Sequence, residues 1–133
     1  MKFSTRSSYG LRAIAHVAKN HGKKPISLAK IARAEKISLA YLERLFAKLK
    51  KADLVVSSKG MLGGYQLAKK PSQIAVLDVL EALEDGISVF RCLNNSGKIV
   101  CSLKACPSAK VYQKVQKAIS QSLKSMTLKD LIK

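Results

Sequence analysis

SLAYLERLFAKLKKADLVVSSKGMLGGYQL, running from Ser38 to Leu67, is the stretch on which the reading of this chain turns. In its first half Leu42, Leu45, Phe46 and Leu49 recur at the i, i+3, i+4, i+7 spacing of one buried helical stripe. Ser38 stands just ahead of that run, where its hydroxyl can accept an otherwise orphan backbone N–H and cap the helix. The opposite face carries Ala40, Glu43, Arg44, Ala47, Lys48 and Lys51, polar and basic with small gaps in it. Then the period changes. LVVSS and YQLA read as two short strands joined by Lys59-Gly60-Met61-Leu62-Gly63-Gly64, a loop whose glycines permit positive φ and whose lysine sits near the tip.

A basic-faced helix followed directly by a glycine-hinged hairpin is the outline of a winged helix-turn-helix. In that arrangement the helix enters a major groove and the wing reaches phosphates or a minor groove. Lysines on a helix face are often only solvated, and hairpins are common, so the stretch by itself does not decide for nucleic acid. Charge shifts the balance. The chain has 133 residues and a net charge of +17, far beyond what solubility requires. Residues 1–70 hold 16 Lys and Arg against Glu35, Glu43 and Asp53, a net +13. Residues 71–133 hold 9 against 5, a net +4. The basic half is the half with the winged-helix outline, and a polyanion partner for that half follows. A membrane surface is the other polyanion, but the helices are short and lack a Trp- and Phe-rich insertion face. The sequence shows no long apolar run and no signal peptide, so a cytoplasmic location is expected. With 47% hydrophobic residues the chain can build a core.

From the start of the chain, a helix is expected over Ser7 to His21, with Leu11, Ile14, Ala15 and Ala18 inward and Tyr9, Arg12, His16 and Lys19 outward. Gly22 suits its C-terminal cap. Gly10 within it costs about 1 kcal/mol against alanine, which hints at a close backbone approach. Ser27 caps a second short helix, Leu28 to Ala34, and the connection Glu35 to Ser38 is tight enough for a helix-turn-helix. Lys69-Lys70-Pro71 is a break after the wing. A further amphipathic helix spans Val76 to Leu83, with Val76, Val79, Leu80 and Leu83 inward and Asp78, Glu81, Glu84 and Asp85 outward, and Gly86 ends it. Residues 87–105 are irregular, with a turn at Asn94-Asn95-Ser96-Gly97. Pro107 opens a last long helix, where Val111, Val115, Ala118, Ile119, Ser122 and Met126 form a narrow apolar seam. A projecting helix with an uncovered seam suggests a homodimer; the alternative is that it folds back on its own domain. Thr127 caps a final turn over Leu128 to Ile132.

The expected organisation is therefore mainly α with a small β-hairpin wing. It has a DNA-binding region over 1–70, a linking helix and cysteine loop over 71–106, and a dimerisation helix with a C-terminal turn over 107–133. The DNA surface is expected to comprise Tyr9 and Arg12 of the first helix; Ser38, Ala40, Tyr41, Glu43, Arg44 and Lys48 of the recognition helix; and Lys59, Gly60, Gly63 and Gly64 of the wing.

Cys92, Cys101 and Cys106 fall in the loop between the last two long helices. They are neither a C-x-x-C redox pair nor a four-thiolate zinc site. An irregular loop lets soft sulfur ligands converge, as iron–sulfur clusters need, but three thiols are one short of four. Spacing alone leaves ligation and three unremarkable thiols both open.

Over nearly its full length the chain resembles the Rrf-two family of bacterial winged-helix regulators, most closely its IscR-like iron–sulfur members. The resemblance rests on the opening MKFSTRSSYGLRAI, the helix ISLAYLERLFAKLKKADLV, the wing SSKGMLGGYQLAK, and IAVLDVLEALEDGISVFRC leading into the cysteine loop. It implies a dimer that binds pseudo-palindromic promoter DNA. It also implies a 2Fe–2S or 4Fe–4S cluster on the three matching cysteines, while CymR-like members carry no cluster and respond through a partner protein or metabolite. IscR-like proteins take a fourth ligand from a histidine three residues beyond the last cysteine, where this chain has Ala109. NsrR-like members use a carboxylate from the first helix of the other subunit, where this chain has Ser8. Ser8 of a partner, an exogenous thiol or water are the remaining candidates. The first two cysteines are also spaced more widely than in relatives, and Lys59 stands where relatives usually carry arginine. Lysine can follow a phosphate backbone but cannot fork onto two acceptors.

A thiol-redox enzyme fits poorly, since the chain has no paired cysteines, no histidine near them in sequence, no carboxylate dyad and no glycine-rich phosphate loop. A nonspecific nucleic-acid packaging protein fits the charge but has no need of a cysteine loop.

Overall fold

Serine caps set the positions of the first three helices. A computed structural model describes residues 3–61, 63–88, 90, 93–94, 97–98 and 106–132. Helix α1 runs Thr5–Lys19 because Ser4, not a later residue, accepts the Arg6 backbone N–H on its hydroxyl. Asn20 closes the helix, donating to the carbonyls of His16 and Val17, and Gly22 lies beyond it in the turn at φ 81°. The helix therefore starts and stops two residues earlier than its apolar pattern suggests. Ser27 caps α2 (Leu28–Glu35), and Ser38 caps α3 (Leu39–Lys51) by accepting from the Tyr41 N–H at 3.3 Å.

Strands β1 (Val55–Ser58) and β2 (Gly64–Leu67) pair antiparallel, with Val55 opposite Leu67 and Ser58 opposite Gly64. The glycines of the connecting loop serve different ends. Gly60 takes the left-handed backbone, at φ 100°. Gly63 and Gly64 instead leave room for backbone: a Cβ on the first would meet the Ser58 carbonyl, and on the second the Ile26 carbonyl. Ile26 and Tyr65 exchange both backbone hydrogen bonds, at 3.1 and 2.8 Å, so the wing is tied at its root to the segment between α1 and α2.

A 3-10 turn at Pro71–Gln73 leads into α4 (Val76–Glu84), and α5 (Ala109–Ser125) and α6 (Leu128–Leu131) complete the chain. Ile14, Ile31, Leu42, Leu45, Phe46, Leu49, Leu83 and Leu128 meet in one almost fully buried core. The C-terminal turn belongs to it. Leu128 donates its N–H to Ile74 and Val76 donates to Met126, and Asp130 accepts from the Thr127 N–H at 2.8 Å.

Two sequence expectations need correcting. The buried face of α1 is Gly10, Ala13, Ile14, Val17 and Ala18, because α4 lies against it; Leu11 and Ala15 are only partly buried. Leu11 packs at the edge of the main core and on a second cluster of Val76, Leu80 and Ile87, together with Leu123 of α5. Glu84 does not face solvent. It follows Leu83 onto α1, where it accepts from the hydroxyls of Ser4 (2.5 Å) and Ser7 (2.6 Å), the Ser4 N–H (3.1 Å) and Arg6 (3.3 Å). Burial pushes this carboxyl up, and the hydrogen bonds from Ser4 and Ser7 outweigh it, holding it below the usual range. Its contribution to stability is present above the ordinary carboxylate range and is lost as pH falls through the depressed value.

Helix α5 meets its own domain along a stripe other than its apolar seam. Ala109 and Gln116 are buried, Gln116 donating to the Ile87 carbonyl at 2.6 Å, and Tyr112 stacks on Phe90 at 4.3 Å. Along the seam Val111 is 58% exposed and Met126 38%, Ala118 and Ser122 are exposed, and Val115 and Ile119 are half-buried.

A Cβ at Gly10 would run into the side chain of Leu83, which explains a glycine in mid-helix. Gly10→Ala should therefore lower unfolding stability by about 1–3 kcal/mol through overpacking, despite the better helix propensity of alanine. Urea unfolding checks this, and a stabilised variant would refute the close α1–α4 approach.

Candidate nucleic-acid interface and cysteine segment

The turn between α2 and α3 is built on Lys36 in the left-handed region, at φ 56°, which lets Ile37 bury its side chain and donate to the Ala32 carbonyl. That turn sets α3 with Leu42, Leu45, Phe46 and Leu49 inward and Ala40, Glu43, Arg44 and Ala47 exposed. Ser38 sits at the start of that exposed face, its hydroxyl engaged as the cap.

Rings and cations connect α1 to this surface. The Arg44 guanidinium lies 5.6 Å from the Tyr41 ring centre. Tyr41 meets Tyr9 edge to face at 5.9 Å, and Arg12 lies 5.5 Å from the Tyr9 ring. The Tyr41 and Thr5 hydroxyls are 3.4 Å apart. Tyr9 and Arg12, expected on the DNA surface, are thus joined through Tyr41 to Arg44.

Arg12 is also bound to Glu35. It donates to the carboxylate at 2.9 and 3.3 Å and to the Glu35 main-chain carbonyl at 3.0 Å. His16 Nε2 lies 3.0 Å from the other carboxylate oxygen. Hydrogen bonding from Arg12, and then from His16, holds the Glu35 carboxyl below its ordinary value. The sequence reading passed over Glu35 as a turn residue. The available signal was its rarity, as one of three carboxylates in the first 70 residues.

Lys48 is turned to α4, its Nζ 2.7 Å from the Asp85 carboxylate on an exposed pair. Lys59 and Gly60 stand exposed on the wing, and Gly63 and Gly64 are half-buried at its base. Lys50 donates to the Ser57 hydroxyl at 2.8 Å, bracing β1 against α3. A further basic feature went unread in the sequence: Lys23, Lys24 and Lys30 line a 430 Å³ cleft between the α1–α2 segment and the wing.

Cys92 and Cys101 lie outside the described residues. Cys106 is half-buried just ahead of α5, and its carbonyl accepts from the Ala109 N–H at 3.1 Å. Ala109 is buried and brings only a methyl group. Ser8 is exposed on α1, lining with Phe3, Leu11, Leu123 and Met126 an apolar groove of 380 Å³. Leu123 and Met126 mark the far end of α5 from Cys106, and 17 helical residues span about 25 Å. Within one chain, then, Ser8 and Cys106 lie at opposite ends of α5. Among the described residues no group of three or more His, Cys, Asp or Glu is placed to hold a metal, and no helix is long and apolar enough to cross a membrane.

A helix-turn-helix with a hairpin wing, basic along one face, defines a winged-helix DNA-binding protein. The sequence model of the family described as Rrf2, iron-dependent transcriptional regulator, matches residues 3–133, and the chain belongs to that family. IscR of Sodalis glossinidius, an HTH-type transcriptional regulator, is 35% identical over 133 residues, covering 99% of this chain and 79% of that protein. Among solved structures, CymR of B. subtilis, the global cysteine regulator, superposes with a TM-score of 0.82 at 36% identity, covering 99% of this chain and 96% of its own. IscR of T. potens does so with a TM-score of 0.79 at 35% identity, covering 99% and 86%. The chain is a DNA-binding transcriptional regulator of the Rrf2 family and not an enzyme.

Arg44→Ala should cost about 1–3 kcal/mol at one base position and relax the preference there, since an arginine forks onto guanine. Lys59→Ala should weaken all sequences nearly alike. Glu43→Ala should relax selection against wrong bases, whereas a glutamate that only pairs with a neighbouring lysine would leave selectivity unchanged. In vitro selection from random duplexes with each variant reads these out, and interchangeable profiles would overturn the assignment of helix and wing.

Proposed function

We propose that the chain acts as a homodimer on pseudo-palindromic promoter DNA, with occupancy tuned by an iron–sulfur cluster on Cys92, Cys101 and Cys106. The observation that carries this reading is the placing of all three thiols in the one segment between α4 and α5. The donor set fits: three soft thiols suit iron and sulfide, and the missing fourth donor leaves one position for an outside ligand. When bound, the cluster would supply a centre sensitive to oxidation, iron supply and nitric oxide.

The protein's own part is mechanical and electrostatic. Insertion of α3 in the major groove brings Glu43 and Arg44 to base edges, and Lys59 follows a phosphate. The cysteine segment begins where α4 ends, and the last two residues there hold the DNA-binding half: Glu84 binds Ser4, Ser7 and Arg6 of the α1 end, and Asp85 binds Lys48 of α3. A rearrangement of that segment acts on both helices at once. The exposed seam of α5 supports a dimer, which spaces two recognition helices for two half-sites.

A second reading is a cluster-free regulator that senses thiol oxidation or binds a partner protein or metabolite. It is favoured by the methyl side chain at Ala109 and by the likeness to CymR.

The +13 half should make DNA binding steeply salt-dependent, with log K falling against log salt by roughly 0.9 per phosphate contacted. A flat response across a salt series would remove the polyanion argument. Anaerobic reconstitution, followed by absorption and by iron and sulfide analysis, separates the two readings. Wild type should bind both elements, and Cys92→Ala, Cys101→Ala and Cys106→Ala should each abolish the cluster. Wild type without iron and sulfide would hand the function to the cluster-free reading. Ser8→Ala matching wild type would assign the fourth position to an exogenous ligand.

A further inference from the structure

We infer that Glu35 is a specificity residue that never touches DNA: its carboxylate occupies Arg12 in place of a phosphate and keeps that cation out of sequence-independent binding. The inference rests on the reading of α3 as the recognition helix. Arg12 lies one turn beyond Tyr9 on α1, Tyr9 abuts Tyr41, and Tyr41 carries Arg44 over its ring, so Arg12 belongs to the edge of the DNA face. A guanidinium there, on a long flexible stem, is an obvious phosphate ligand. It is engaged by an acceptor set much like the one a phosphate would offer: two contacts to a carboxylate oxygen and one to the carbonyl of the same residue.

Several features make this a built arrangement. Glu35 is the last residue of α2, and the main-chain carbonyl that Arg12 reaches is among those left unpaired at a helix C-terminus. The adjacent Lys36 turns left-handed, which ends the helix at Glu35. The second carboxylate oxygen is engaged by His16, from the next turn of α1, so the carboxylate is held from two sides. The Arg12 and Glu35 side chains are 46% and 23% exposed, open enough for a phosphate to compete if the carboxylate were absent.

The consequence is a division of labour among cations. A phosphate contact strengthens binding to every sequence equally and so lowers the ratio of specific to nonspecific affinity once base contacts are fixed. In a half carrying +13, excess phosphate contacts are easily formed, and withholding one per protomer keeps selectivity in the hands of α3.

The test uses the full chain and two duplexes: one recovered by in vitro selection with wild type, and a shuffled duplex of the same length and composition. Titrations across a salt series are made for wild type, Glu35→Gln, Glu35→Ala and the double variant Glu35→Gln/Arg12→Gln. Both Glu35 variants should bind the shuffled duplex more tightly at low salt, with a slope steeper by roughly 0.9 per protomer as one more phosphate is contacted. The preference for the selected duplex should fall severalfold. The double variant should return the slope to the wild-type value. A merely structural Glu35 predicts weaker binding to both duplexes with an unchanged slope, and that result overturns the inference, as does a steeper slope that persists in the double variant. Melting curves run alongside keep loss of fold distinct from loss of selectivity. If wild type itself prefers no duplex, the recognition-helix reading fails instead.

Discussion

The seating of Leu83 against Gly10 is the contact on which the two halves of this molecule depend. A mid-helix glycine gives up helix propensity, and what it gains is a helix–helix approach too close for any β-carbon. That approach brings Glu84 within reach of Ser4, Ser7 and Arg6, so the apolar contact and the hydrogen-bonded carboxylate form one joint between α1 and α4. The same α1 face also closes over the core that α3 fills with Leu42, Leu45, Phe46 and Leu49. The orientations of α3 and α4 are therefore both referred to a single helix, α1.

Electrostatics follow from that geometry. The N-terminal half carries few carboxylates, and the described ion pairs draw on them or on the end of α4: Arg6 with Glu84, Arg12 and His16 with Glu35, Lys48 with Asp85. The more exposed of these, Arg12 with Glu35 and Lys48 with Asp85, contribute little to stability. Each places an arginine or lysine beside a carboxylate of the same chain. Lys48, with Asp85 beside it, illustrates the point: a lysine on the outer half of α3 is shared with the helix that enters the cysteine segment.

Much of the fold was legible in the sequence because its signals were local. Ser27 and Ser38 stand where caps must be, the stripe from Leu42 to Leu49 has one period, and the change from helix to strand at Val55 is sharp. What escaped was long-range. Glu84 reads as an outward charge until α1 is known to lie beside it, and no period in α4 says so. On α1 the inward stripe was misplaced because glycine carries no hydropathy signal, although Gly10 marks the centre of the buried face. The basic face was legible, but the pairing of Arg12 with Glu35 joins residues from two helices and leaves no trace in either one. Gly63 was read for its freedom, whereas it lets other backbone come close; Gly64 does both, at φ 157° and against Ile26.

The helix α5 links the remaining questions into one. Its inward stripe of Ala109, Tyr112, Gln116 and Leu123 packs within the chain, and its apolar seam runs from exposed Val111 to Val115 and Ile119, half-buried beside that contact. Cys106 stands before its first turn, while Ser8 lies beside its last, about 25 Å along the axis. No rotation of a serine side chain spans that gap. Within one chain, then, Ser8 does not reach Cys106. Antiparallel packing of two seams would bring the Ser8 end of one protomer toward the Cys106 end of the other. Under that arrangement a ligand exchanged at Cys106 and the association of two chains would be coupled.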